Sequence, residues 1–170
     1  MSEELDPLDE RLARAPSEAR LGILLDLWGE CPKETLNKLL VRWWESIELP
    51  SGFPQRRVVG MFRWAGFVTD SKVPLKNRTS VIYRGATSRY RFGLCWTLDI
   101  EIARFFAHTY RRRSPGGLVY RAKINHDNVL GYITCRDEQE VIVDPYFLSK
   151  VTLIERRTND GAKVRSPLTG

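Results

Sequence analysis

Histidine and methionine are scarce in this chain, two of each among 170 residues. The histidines, His108 and His126, belong to no His-x-x-Glu-His or similar cluster, which disfavours a zinc site. The three cysteines, Cys31, Cys95 and Cys135, show no metal-ligand spacing, and their odd number argues against a disulfide framework. A reducing cytoplasm is the expected compartment. No Gly-x-Gly-x-x-Gly or Walker-type loop occurs, so a Rossmann or P-loop nucleotide site is disfavoured. No apolar run approaches the ~20 residues of a membrane span, and the first residues are acidic and polar rather than signal-like. No membrane partner is expected, and internal repeats are missing.

What is present is an ordinary globular composition, 42% hydrophobic and 28% charged. The net charge of +6 hides an asymmetry. Residues 1–50 hold 6 basic against 11 acidic side chains, and residues 51–170 hold 21 against 10. A positive second part suits an anionic small molecule, a nucleic acid or an acidic protein surface, and charge alone does not choose among them.

The pattern predicts helices first and strands afterwards, an α+β order. Residues 1–70 read as an N-terminal helical layer and residues 71–170 as a catalytic core, expected to form one compact unit. Residues 1–15 read as a loose lead-in. Ser17 is expected to cap a helix through about Trp28, and Pro32 to sit in the first turn of a second. A third holds Val58, Val59 and Phe62 and ends at Gly66. The strands expected are Val81–Gly85, Gly93–Thr97, Leu118–Ile124, Val129–Ile133, Val141–Val143 and Val151–Ile154. Thr97 is expected to cap a helix carrying Leu98, Ile102, Phe105 and Phe106, and the chain after Arg156 to fray.

One stretch concentrates acid beside a strand, Arg136-Asp-Glu-Gln-Glu-Val-Ile-Val-Asp-Pro145. If the strand starts near Glu138, then Glu138 and Glu140, two apart, project from one face. Like charges that close need a cation or ligand to compensate them. The plain alternative is a solvated polar turn before an edge strand.

Arg84, Cys95-Trp96-Thr97 and Glu138/Glu140, taken in this order, resemble the arginine, Ser-Thr-Ser, glutamate triad of the mono-ADP-ribosyltransferases related to clostridial and cholera-type toxins. The resemblance covers roughly residues 80–155. Tyr83-Arg84-Gly85, Trp96-Thr97 and Ala103-Arg-Phe-Phe-Ala107 are also similar to uncharacterised bacterial and phage members of that superfamily. The resemblance implies a split, mostly antiparallel β core in which Arg84, Thr97 and Glu140 meet at one cleft. It implies NAD as substrate and no metal, because the nicotinamide leaves as a stable neutral amide.

The roles implied have physical reasons. Arg84 is a permanent cation whose planar fork suits the phosphates of NAD. Glu140 would stabilise the positive charge that develops on the ribose as the nicotinamide bond breaks. Glu138, the upstream acid of a Glu-x-Glu pair, would orient or deprotonate an incoming arginine side chain. Thr97 matches the last serine and braces the site. Cys95 replaces the first serine with a weaker hydrogen-bond donor, and Trp96 replaces the central threonine and can pack in the core instead. Tyr110 would stack on nicotinamide and Arg111 to Arg113 would meet phosphate, although a solvated basic loop accounts for these equally well. The histidine of the diphtheria-type and poly-ADP-ribosylating branch is replaced by Arg84, which favours the arginine branch. The acceptor implied first is an arginine on an intracellular protein. ADP-ribosylation of nucleic acid, and a non-catalytic nucleotide- or nucleic-acid-binding module, remain the alternatives.

Overall fold

The structure, a computed structural model, describes residues 7–72, 79–108, 117–135, 138–157 and 163–165, the last three and residue 157 by backbone only. The chain divides into two compact units, Met1–Val68 and Thr69–Gly170. It is a mixed α+β protein, with five α-helices among the described residues. None of the described helices is long and apolar enough to cross a membrane.

The first unit carries α1 (Pro7–Arg14), α2 (Ser17–Leu27), α3 (Lys33–Trp43) and α4 (Gln55–Ala65), and the two-residue strand β1 (Val68–Thr69) lies at its end. Over residues 7–14 the expected loose lead-in is instead a helix. Its sequence has little apolar period, and it is held by a single buried carboxylate. Asp9 takes Arg42 Nη1 at 2.7 Å and Trp43 Nε1 at 2.6 Å, while Leu12, one turn on, is fully buried. Ser17 does not cap α2. Pro16 precedes the helix in extended conformation, and the Ser17 hydroxyl donates to Glu18 instead. Pro32 lies just before α3 rather than in its first turn. α4 closes as expected at Gly66, whose φ of 79° suits glycine.

In the second unit, seven strands make one sheet with every pairing antiparallel. They are β2 (Thr79–Ala86), β3 (Cys95–Thr97), β4 (Leu118–Asn125), β5 (Val129–Ile133), β6 (Glu140–Val143), β7 (Ser149–Arg157) and β8 (Lys163–Arg165). The tail expected to fray thus contributes β8. The order is β5-β6-β3-β2-β4-β7-β8. In that order β4 and β5 are four strands apart, about 19 Å on a flat sheet. Only the three-residue 3-10 turn His126–Asn128 joins them, and the four steps from Asn125 to Val129 rise about 8 Å at that pitch. The sheet must therefore curl. Ile82, Tyr120, Ala122 and Ile124 of β2 and β4 share one buried cluster with Trp96, Val129, Val141 and Val143 of β3, β5 and β6.

On the opposite face of β2 and β4 lies α5 (Ile100–His108), with Ala103 and Ala107 against Val119 and Tyr83. Thr97 does not cap this helix directly. Its hydroxyl accepts from Asp99 N, and Asp99 Oδ1 in turn accepts from Glu101 N. The buried Glu155 on β7 accepts from Arg104 Nε at 2.8 Å and lies 3.2 Å from His108 Nε2, which fixes the far side of α5. The helix comes so close to β2 that a Cβ at Gly85 would run into the Ala103 carbonyl oxygen and the Ala107 nitrogen.

Backbone cannot yield cheaply, so Gly85→Ala should cost about 3 kcal/mol. Gly60→Ala, inside α4 with its nearest neighbour at 3.9 Å, should instead gain up to about 1 kcal/mol. Urea unfolding of the two variants beside wild type reads both signs.

Candidate active site at the β2–β3 seam

Neighbouring strands β2, β3 and β6 carry the residues singled out by the sequence. Thr97 stands opposite Tyr83 on one side and opposite Glu140 on the other, so Tyr83, Thr97 and Glu140 form one row. Cys95 shares the face of Thr97 and Glu140, and Trp96 alternates away from it. Trp96 is buried in the cluster with Ile82 and Val141, and its Nε1 donates to Gly93 O at 2.8 Å. It packs in the core.

Arg84 starts from the other face, since it stands opposite Tyr120 and alternates with Tyr83. What carries its guanidinium towards the row is the seam between β2 and β3. These strands share a single register pair, Tyr83 opposite Thr97. Leu94 O is taken by Val143 N on the β6 side, so the next carbonyl, that of Cys95, points towards β2. Where a strand amide would serve it, Arg84 Nη1 donates to it, and Arg84 Nε donates to Tyr90 O at 3.1 Å. The arginine side chain occupies the split.

Cys95 is the junction. Its carbonyl accepts from Arg84, and its thiol lies close enough to the Glu140 carboxylate to feel its charge. Burial pushes the thiol well above its usual 9.0, the Glu140 and Glu138 charges push it further, and Arg84 opposes them. The thiol is therefore a neutral donor, and the site gathers one cation, two carboxylates and a protonated sulfur.

Glu138 does not continue the strand. β6 begins at Glu140, and Gln139 has a φ of 45°, in the left-handed region where a non-glycine residue costs about 1–3 kcal/mol. The in-strand spacing that would put both acids on one face is broken there. Two groups hold the bend. Thr97 Oγ1 donates to Glu138 O at 2.7 Å, and Leu98 N donates to Gln139 O at 3.4 Å. Upstream, the Asp70 carboxylate accepts from Thr134 N at 2.8 Å, Thr134 Oγ1 at 3.0 Å and Cys135 N at 2.8 Å. Burial raises its pKa, but these hydrogen bonds outweigh it and hold the carboxyl below its usual range.

Comparison with protein-family models, curated proteins and solved structures finds no match.

Tyr110 and Arg111, with the rest of residues 109–116, lie outside the described residues. Among the described residues, no group of three or more His, Cys, Asp or Glu is placed to hold a metal ion. His126 lies away from the row, with its Nε2 2.9 Å from Ser80 Oγ. Two contributors went unseen in the sequence. Asp70 read only as the start of a loop. Gly93 read as part of a strand, yet a Cβ there would collide with the Arg84 guanidinium, so its missing side chain makes the seat for the arginine.

The thiol has a consequence for alkaline stability. A group whose folded pKa is raised contributes stability in full below its unfolded value and loses it as pH climbs towards the folded one. Above about pH 9 the wild type should therefore lose stability to Cys95 as the pH rises. Burial also raises the phenols of Tyr120 and Tyr132, and they add to the loss above pH 10. Cys95→Ser keeps a donor for Glu140 and removes the thiol. Its unfolding free energy between pH 8.5 and 10 should stay flatter than that of wild type.

Proposed function

We propose that the protein is an NAD-dependent mono-ADP-ribosyltransferase acting on a macromolecular acceptor. The observation that carries this reading is Cys95, whose carbonyl accepts from Arg84 and whose thiol feels the charges of both Arg84 and Glu140 at one seam. A cation for the diphosphate and a carboxylate for the ribose are the two groups that cleavage of a nicotinamide–ribose bond requires.

The step is a displacement at the ribose C1′. The bond from C1′ to the nicotinamide nitrogen breaks, and the electron pair leaves with neutral nicotinamide. Positive charge builds on the ribose in the transition state, and Glu140 stabilises it there more than in the bound substrate. The acceptor then forms the new bond to C1′. If the acceptor nitrogen carries a proton, it passes to Glu138 or to solvent as the bond forms.

The remaining residues position this pair. Thr97 holds the peptide before Gln139, so Glu140 enters β6 facing the Cys95 thiol. A neutral thiol adds no further negative charge beside the carboxylate. Tyr90 and Cys95 carbonyls orient the Arg84 fork, and Gly93 leaves room for it. Two acceptor classes fit the chemistry. An arginine guanidinium is implied by the Glu-x-Glu resemblance, and a nucleic acid by the positive charge of residues 51–170.

Release of nicotinamide from NAD by the purified chain tests the reaction whichever acceptor is right. Glu140→Gln should lower turnover on the order of 10²-fold or more. Glu138→Gln should lower transfer to the acceptor while slow hydrolysis to water persists. Gly93→Ala pushes the Arg84 guanidinium off the Cys95 carbonyl, so it should cost about 1–3 kcal/mol of stability and weaken NAD binding. Unchanged turnover in Glu140→Gln would remove the proposal.

A further inference from the structure

The chain between β2 and β3 has a composition that the NAD chemistry leaves unused. Ser88-Arg89-Tyr90-Arg91-Phe92 alternates cations with aromatic rings. A 3-10 turn over Ser88–Tyr90 lifts it off the strand, and Arg91 Nη1 donates back to Ser88 O at 3.0 Å. The guanidinium of Arg91 lies 4.8 Å from the Phe92 ring centre, and that of Arg89 lies 5.7 Å from the Tyr90 ring centre. Arg89, Arg91 and Phe92 are exposed, the last with 48% of its surface open.

A third exposed arginine joins them from a distant part of the chain. Ala86, Leu118 and Arg156 form one row across β2, β4 and β7, which puts Arg156 about 10 Å from the residue where this arm begins. Arg91 and Arg156 both act on the Tyr120 phenol, lowering its pKa against the rise that burial causes. Among the described residues, none of Arg89, Arg91 and Arg156 forms an ion pair with a carboxylate. The arm is continuous with the seam, since Tyr90 O holds Arg84.

We propose that this arm, with Arg156, binds single-stranded nucleic acid and presents it to the Arg84–Glu140 seam as the acceptor. The inference rests on the transferase reading and names its acceptor. An acidic peptide would satisfy the arginines but has nothing to lay on Phe92. A single strand offers phosphates and unpaired base faces at once, and exposed rings beside guanidiniums are how proteins grip it without reading sequence. A duplex hides those faces. In the transfer, the bond from C1′ to nicotinamide breaks and a bond from a base nitrogen or phosphate oxygen to C1′ forms. A base nitrogen gives its proton to solvent, and a phosphate oxygen has none to give.

The test uses the full chain and a fluorescent mixed-sequence 20-mer, as single strand and as duplex, with polyglutamate as competitor. The single strand should bind more tightly than the duplex, more weakly as salt rises, and should resist polyglutamate. Arg91→Ala and Phe92→Ala, with circular dichroism unchanged, should each weaken it about tenfold. Equal competition by polyglutamate, or full affinity in Phe92→Ala, overturns the proposal. Labelled NAD added to the complex should then give a product that nuclease digests and protease does not. Label that only protease removes overturns the acceptor assignment. If wild type releases no nicotinamide at all, the transferase reading fails and the acceptor assignment goes with it, while the binding data still judge the surface.

Discussion

Where β2 and β3 part, one arginine side chain does what a strand would otherwise do. The Cys95 carbonyl points to β2, β2 has already diverged after the Tyr83–Thr97 pair, and the Arg84 guanidinium supplies the missing donor. A buried carbonyl left without a partner would cost about 1–3 kcal/mol, so the split is stable only because it is filled. The sheet can then curl enough for the three-residue turn between β4 and β5 to close it. The same bond brings a permanent cation to a point from which strict alternation would have excluded it. Stability and chemistry are in tension at this residue, since a bound diphosphate would draw on donors that also hold the seam.

The charges around the seam explain why a cysteine is tolerable there. Two carboxylates in one partly dry place repel each other, and Arg84 offsets part of that cost. A thiolate would add a third negative charge, and burial, Glu140 and Glu138 all act against it. Cys95 accordingly stays protonated and acts as a small donor, which a serine hydroxyl would do more strongly. The acid-bearing chain is fixed at both ends by backbone-directed bonds, from Thr97 on one side and to Asp70 on the other.

Strands with strong β-branched patterns were legible in the sequence. Val129–Ile133 matches its element at both ends, and Leu118–Ile124 falls one residue short. Local composition failed where a distant partner decides the outcome. Pro7–Arg14 shows little apolar period, and its anchor, Asp9, is satisfied by residues more than thirty positions away. Gly85 reads as a strand stop, but β2 runs on to Ala86, and the glycine is there because α5 crosses it closely. The row Tyr83, Thr97, Glu140 depends on register, which pairs strands distant in sequence. The left-handed bend at Gln139 has no signature in Glu-Gln-Glu, and the use of Gly93 becomes visible only once the path of Arg84 is known.

The central claim is that Arg84 and Glu140, joined through Cys95, grip the two halves of one NAD molecule. A crystal structure with a carbocyclic NAD analogue, which binds but is not cleaved, addresses it directly. The analogue's diphosphate should lie on the Arg84 guanidinium and its ribose-equivalent hydroxyls against the Glu140 carboxylate, with Trp96 still in the core. An analogue bound away from the β2–β3 seam, or touching only one of the two residues, would contradict it.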